Sequence, residues 1–264
     1  MIIVGELINS SRKAIAPAVE SRDAAFIQEV AQKQLDAGAT YIDVNCGTRV
    51  HDEPEMLTWL VETVQAAVNA PLCIDSPNPV AIEAALKVHK GQALINSISA
   101  EKERYEAILP LITKHNARIM ALCMDDTGMP ETAEQRLVIV ERLYKGLTEA
   151  CVKPEDIFFD PLVKPISVNT NFGNEVLETI KEIHARYPGV HTTCGLSNIS
   201  FGLPVRKLLN QAFLVMCIAN GMDSAILDPL DNQIMSLLIA SEALVGRDDY
   251  CMNYLTAQRK GIFS

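Results

Sequence analysis

Short β-rich runs alternate with helix-length segments eight times along this chain, and no other feature limits its fold as much. Residues 2–8, 41–45, 72–75, 93–96, 118–124, 156–160, 191–196 and 224–228 read as strands. Residues 23–37, 54–69, 79–87, 101–114, 132–150, 174–185, 205–220 and 233–244 read as helices. Ala37-Gly38-Ala39 and Asn220-Gly221-Met222-Asp223 mark helix ends that lead into strands, where glycine tolerates the left-handed turn. Pro54 and Pro79 suit first helical turns, whose N–H groups lack intrahelical partners anyway. Strands alternating with helices of this length build a parallel sheet, and eight such units in 264 residues have the dimensions of a (β/α)8 TIM barrel. An open doubly wound sheet is the alternative, but it rarely needs eight regular units. No shift in composition marks a boundary, so residues 1–264 are expected to form a single domain.

Charge narrows the function. The net charge is −10, and a nucleic-acid partner would want a basic face, so none is expected. No run approaches the roughly 18 apolar residues of a membrane span. Met1-Ile-Ile-Val-Gly-Glu6 has neither a basic region nor a cleavage-like site, so no signal peptide is expected. The 7 cysteines are an odd number and form no CxxC pair. They read as reduced thiols, which points to the cytoplasm rather than to a disulfide frame or a zinc site.

The ends of the apolar runs carry the informative pattern. They finish on acids and amides: Asp43 and Asn45, Asp75-Ser76, Asn96-Ser97, Asp160, Ser197-Asn198 and Asp228, with Glu6 and Asn9 contributed by the first strand. Helix capping accounts for any single member. In a closed barrel, however, all these ends meet around one mouth, where such enzymes place their chemistry. The rim is poor in Lys, Arg and His, which disfavours phosphate as the main group held. No GxGxxG or GxxxxGK[ST] is present. Rim carboxylates then serve either a divalent cation or a neutral ligand rich in N–H donors, such as a pterin with its amino-amide edge. A cation site would be expected to use His or a tight DxD, and neither is present, so no bound metal is expected. The histidines (His51, His89, His115, His184, His191) fall mostly in helices or loops and read as surface or core.

Taken in order, Gly5-Glu-Leu-Ile-Asn9, Asp43-Val-Asn45, Asp75-Ser76, Ile95-Asn-Ser97, Asp160-Pro-Leu162 and Gly195-Leu-Ser-Asn-Ile-Ser200 resemble the pterin-binding methyltransferase family. The nearest resemblance is to methyltetrahydrofolate:corrinoid methyltransferases, including those acting on a corrinoid iron–sulfur protein. Met124-Asp-Asp-Thr-Gly-Met-Pro130 resembles that family's loop after the fifth strand. The resemblance implies a homodimeric TIM barrel with the pterin in its mouth. By position, it implies that Asp75, Asn96 and Asp160 bond the pterin ring, with Asp43 beside them. It places Asn198 near N5, the nitrogen that carries the methyl group, and Arg206 near the folate. Ser197, Gly195, Glu6 and Asn9 complete the expected substrate contacts. Phe201 departs from the family pattern, which is polar there.

The implied substrate is tetrahydrofolate or 5-methyltetrahydrofolate, and the implied methyl acceptor or donor is a cobalamin-type corrinoid. The chain lacks the Asp-x-His-x-x-Gly signature of corrinoid modules, so the corrinoid is expected on a separate protein. Asn198 cannot act as a general acid at neutral pH, but its amide can hydrogen-bond N5 or the proton N5 gains. Stabilisation that strengthens as charge develops is what raises a rate. Two competing readings remain. One is a dihydropteroate synthase-like enzyme, for which Arg206-Lys207 is the late-loop candidate to hold a pyrophosphate. The other is a non-catalytic pterin-binding protein.

Overall fold

The structure, a computed structural model, describes residues 1–263. Eight parallel strands form one sheet: β1 (Ile2–Asn9), β2 (Tyr41–Asn45), β3 (Leu72–Asp75), β4 (Leu94–Ala100), β5 (Arg118–Asp125), β6 (Ile157–Asp160), β7 (His191–Thr192) and β8 (Ser224–Leu227). Neighbours follow chain order from β7 back to β1, and β8 pairs with β1. A single bridge between Gly195 and Ile226 joins the β7 end to β8 and closes the ring. The expected TIM barrel is therefore present.

The intervening helices are α1 (Ala16–Glu20), α2 (Ala24–Asp36), α3 (Glu53–Ala67), α4 (Pro79–Val88), α5 (Lys102–His115), α6 (Ala133–Glu149), α7 (Phe172–Arg186), α8 (Arg206–Ala219) and α9 (Asn232–Leu244), with α10 (Met252–Arg259) packed on α9. Their starts follow ordinary capping chemistry. The Asp23 carboxylate accepts from the Phe26 N–H, Asn78 from Val80, and Thr132 with Gln135 forms a reciprocal capping box.

Two apolar clusters separate inside from outside. The larger packs the outward face of the strands, including Ile42, Ile74, Ile95, Ile119 and Phe159, against helix residues such as Leu57, Leu60 and Val140. The smaller is Val4, Tyr41, Cys73, Leu94, Met120 and Phe158, flanked by Ile2 and Ile226, and it fills the barrel interior. Burial of this kind stabilises by about 25 cal/mol per Å² of apolar surface. Gly5 shows how tightly the outer layer fits. A Cβ there would lie 2.5 Å from the Gln34 side-chain oxygen, which accepts a 3.0 Å hydrogen bond from the Leu7 N–H.

The structure alters some boundaries. The seventh strand ends at Thr192 rather than 196, because Gly195 onward turns into a 3-10 helix, Leu196–Ser200. The fourth runs on past Asn96 to Ala100 through two register irregularities, and its Asn96–Ser97 peptide is cis. The helices α1 and α10 add to the eight expected ones.

Candidate active site

Strand side chains alternate between the two faces of a sheet, so residues two positions beyond the interior cluster share its inward face. Those residues are Glu6 after Val4, Asp43 after Tyr41, Asp75 after Cys73, Asn96 after Leu94, Leu122 after Met120, Asp160 after Phe158 and Asp228 after Ile226. The apolar floor thus changes to an acid and amide layer in one step, at the C-terminal ends of the strands. Strand register aligns the layer: Asp75 lies beside Asn96, Asn45 beside Asp75, and Leu122 beside Asp160.

Each acid has a distinct environment. Asp43 is buried, and its Oδ1 has no hydrogen-bond partner among the described residues. Burial pushes its carboxyl well above the usual range, and the neighbouring Asp75 adds to the effect. Asp75 is also raised by burial, held back by a 2.7 Å hydrogen bond from the Asn45 amide and by the Arg104 charge. The Asn45 carbonyl accepts from the Gly47 N–H at 3.0 Å, which fixes which way its amide faces. Burial lifts Asp160 to about 6, against the pull of the Leu162 N–H and the Arg136 guanidinium. Carboxyls whose charged form is penalised by burial suit a guest that presents N–H groups, and the unpartnered Asp43 oxygen needs such a donor. A cavity of about 410 Å³ opens at Asp75, Ser76, Asn96, Ser97, Arg104 and Leu122.

The remaining sequence-derived positions differ in their roles. Glu6 is paired with Arg12 at 2.6 Å. Asn9 accepts from the Ser11 N–H and hydroxyl, at 2.9 and 2.7 Å, and so shapes the loop after β1. Gly195, Ser197 and Asn198 sit on the 3-10 turn beside the mouth, with Ser197 and Asn198 exposed. Arg206 reaches that same turn. Its guanidinium donates to the Ser197 carbonyl at 2.7 Å and to the Ser200 hydroxyl at 3.1 Å, so it braces the segment that carries Asn198.

Sequence reasoning missed the groups behind the acids. Arg104 donates to the carbonyls of Ser97, Pro77 and Ser76, tying together the loops after β3 and β4. Glu53 accepts from the Ser76 hydroxyl at 2.6 Å. Arg136 is fully buried and donates to the carbonyls of Pro161, Glu131 and Leu162. In the sequence these arginines stand in ordinary helical context, and nothing distinguishes them from a solvated face. No group of three or more His, Cys, Asp or Glu positioned for a metal occurs among the described residues. No helix among them is long and apolar enough to cross a membrane. The cysteines are free thiols, and Cys73 and Cys194 are buried as small apolar groups.

A closed parallel barrel whose mouth is lined by buried acids and amides defines a TIM-barrel protein with an acceptor-rich mouth. The chain matches the pterin binding enzyme family over residues 5–228 and belongs to it. It is 40% identical over 267 residues to a methylcorrinoid:tetrahydrofolate methyltransferase of Eubacterium limosum, covering 99% of this chain and 97% of that protein. It is 30% identical over 239 residues to a methionine synthase of Mycobacterium tuberculosis, covering 86% of this chain but 20% of that longer protein. Among solved structures, a dihydropteroate synthase of Coxiella burnetii in complex with pteroic acid superposes with a TM-score of 0.69 at 16% identity, covering 93% of both chains. A Thermus thermophilus dihydropteroate synthase gives 0.65 at 19% identity, covering 92% of this chain and 94% of that one. These two establish likeness of fold.

Proposed function

We propose that this chain is a methyltransferase that moves a methyl group between N5 of tetrahydrofolate and the cobalt of a corrinoid held by a separate protein. The observation that carries the reading is the full-length 40% identity to the Eubacterium limosum methyltransferase. The site supports its folate half. Asp75, Asn96 and Asp160, with Asp43 behind them, offer acceptors to the amino-amide edge of the pterin. A buried carboxylate that accepts a matched donor adds roughly 1.5–3 kcal/mol of binding.

For transfer from folate, the C–N5 bond breaks, its electron pair stays on N5, and N5 gains a proton. The methyl carbon bonds to cobalt through the electron pair of cobalt(I). Transfer to folate is the reverse, and the same residues serve both directions. This reading assigns to Asn198, exposed on the turn at the rim, the hydrogen bond to N5 as its charge changes. Arg206 and Ser200 hold that turn in place.

The partner carries the corrinoid, and a corrinoid iron–sulfur protein is one such carrier. A homodimer is part of this reading. It is supported by Leu208, Ala212 and Met216, which are spaced four apart and exposed on one face of α8. A cytoplasmic setting is supported by the free thiols. A dihydropteroate synthase needs cations for a pyrophosphate, and the Arg206-Lys207 pair already has partners: Arg206 on the turn, and Lys207 with Asp231 at 2.9 Å.

The test mixes the protein with 5-methyltetrahydrofolate and cob(I)alamin and follows corrinoid absorbance, then repeats the assay from methylcobalamin and tetrahydrofolate. Methyl transfer in either direction supports the reading. Folate binding with no transfer in both would leave a non-catalytic binder instead.

A further inference from the structure

We infer that Arg136 is a positioning residue for the pterin pocket: it fixes the backbone after β6 so that the Leu162 N–H occupies one oxygen of Asp160 and leaves the other to the ligand. This rests on the reading of Asp160 as a pterin acceptor given above.

The argument starts from an unusual use of a buried cation. Arg136 is fully buried in the first turns of α6, yet its guanidinium has only main-chain oxygens as hydrogen-bond partners. Nε donates to the Pro161 carbonyl at 2.6 Å, Nη2 to Leu162 at 3.2 Å, and Nη1 to Glu131 at 3.0 Å. Two consecutive carbonyls of the loop after β6 are thereby anchored to one rigid fork. Between them lies Leu162, whose φ is +61, a left-handed conformation that costs a residue with a side chain about 1–2 kcal/mol. The consequence at the site comes from the peptide plane that the Pro161 carbonyl shares with the Leu162 N–H: the bond from Arg136 Nε to that carbonyl fixes the plane, and its N–H donates to Asp160 Oδ1 at 2.8 Å. Asp160 Oδ2 has no hydrogen-bond partner among the described residues and is the oxygen left for a guest.

The other acids near Arg136 are already engaged. Glu175 accepts from the Ala133 N–H at 2.6 Å and from the Asn171 amide at 2.6 Å, and Glu131 pairs with Lys164 at 2.9 Å. Asp160 is thus the buried acid among them with an oxygen still free. The ionisable groups that face Asp160 are Arg136 from α6 and the buried thiols Cys123 from β5 and Cys194 beyond β7. Burial raises Cys123, and the hydrogen bond with Cys217 together with burial raises Cys194, so both thiols stay uncharged and Arg136 is the one charged neighbour. The arginine therefore acts on Asp160 twice, through the aimed N–H and through its field. Both favour the ionised, accepting carboxylate.

The experiment titrates tetrahydrofolate into the protein anaerobically from pH 5 to 9, with no corrinoid present. It compares wild type with Arg136→Lys, Arg136→Met and Asp160→Asn. Wild-type binding should weaken on acidification through about pH 6 as Asp160 takes up a proton. Both Arg136 variants should move that limb to higher pH, with about tenfold weaker binding per unit of displacement on its acid side. At pH 9 they should bind within a few-fold of wild type. In turnover assays near neutrality, KM for folate should rise while kcat holds. Arg136→Lys keeps the buried cation with fewer donors, so it decides the matter if Arg136→Met does not fold. A folded Arg136→Lys with an unmoved limb, or with a loss equal at every pH, overturns the proposal. If Asp160→Asn binds tetrahydrofolate as well as wild type does, the functional reading of Asp160 fails instead.

Discussion

Asp75→Asn should weaken pterin binding more than a lost charge alone would, and should stabilise the fold while doing so. The reason lies in Asn45. Its carbonyl is committed to the Gly47 N–H at 3.0 Å, so its NH2 must face residue 75, as it does now at 2.7 Å from Asp75 Oδ2. An asparagine at 75 will turn its carbonyl toward Asn45 to keep that bond. Its own NH2 then points into the mouth, where the pterin also presents donors. The lost charged acceptor contributes about 1.5–3 kcal/mol, and a ligand N–H left without a partner adds roughly 1 kcal/mol. The total is about 2.5–4 kcal/mol, or roughly 60- to 1000-fold in Kd. Stability moves the other way. Burial raises the Asp75 carboxyl, and Asp75 in turn raises Asp43, so the substitution removes a buried carboxyl whose charged form is unfavourable in the fold. Calorimetry with tetrahydrofolate and thermal unfolding at pH 7 read the two effects. Asn45→Ala in the Asp75→Asn background frees residue 75 to rotate and should recover part of the binding. A single variant that binds within twofold of wild type, or that melts lower, would refute this account of the site.

Asn198→Ala should lower kcat roughly 10- to 1000-fold, with folate affinity and melting temperature nearly unchanged, because its side chain is exposed on the turn; turnover that survives at saturating folate removes Asn198 from the mechanism. Gly5→Ala should destabilise by about 2–5 kcal/mol, since its methyl would displace the Gln34 oxygen and orphan the Leu7 N–H; chemical denaturation measures it, and adding Gln34→Ala should relieve the clash. Asp160 has a folded-state pKa raised to about 6, so the unliganded fold gains stability as pH falls from 7 towards the unfolded value near 3.9. The difference in melting temperature between wild type and Asp160→Asn should therefore shrink across that window, and a difference that stays constant with pH would show that the carboxyl titrates normally.

Much of this architecture is legible in the sequence because a barrel strand is a short apolar run bounded by turn residues, and eight of them announce themselves. The site is legible for the same reason: polar residues ending such runs, as at Asp75, Asn96 and Asp160, must face the mouth when they continue the inward parity. The seventh strand is where the reading overshoots. His191–Thr192 is followed by β-compatible Thr193 and Cys194, and only tertiary context turns Gly195 onward into a 3-10 helix. Arg206 reads as a folate contact in the sequence, and the structure adds what residue type does not show, bonds from its Nη2 to the Ser197 carbonyl and from its Nε to the Ser200 hydroxyl. Arg104 and Arg136 escape notice altogether, because their partners are main-chain carbonyls, which leave no trace in residue type.

The hoop of strands is stitched unevenly. Seven of its joints carry ladders of paired residues, whereas the joint between β7 and β8 rests on the single Gly195–Ile226 bridge. Asn198 rides on the stave next to that loose joint, and Asp43, Asp75, Asn96 and Asp160 stand on the firmly laced side. On the function proposed above, the heterocycle is held by the stiff wall and the exchange runs beside the yielding one, an arrangement that would let the Asn198 amide tilt without loosening the hold on the ring.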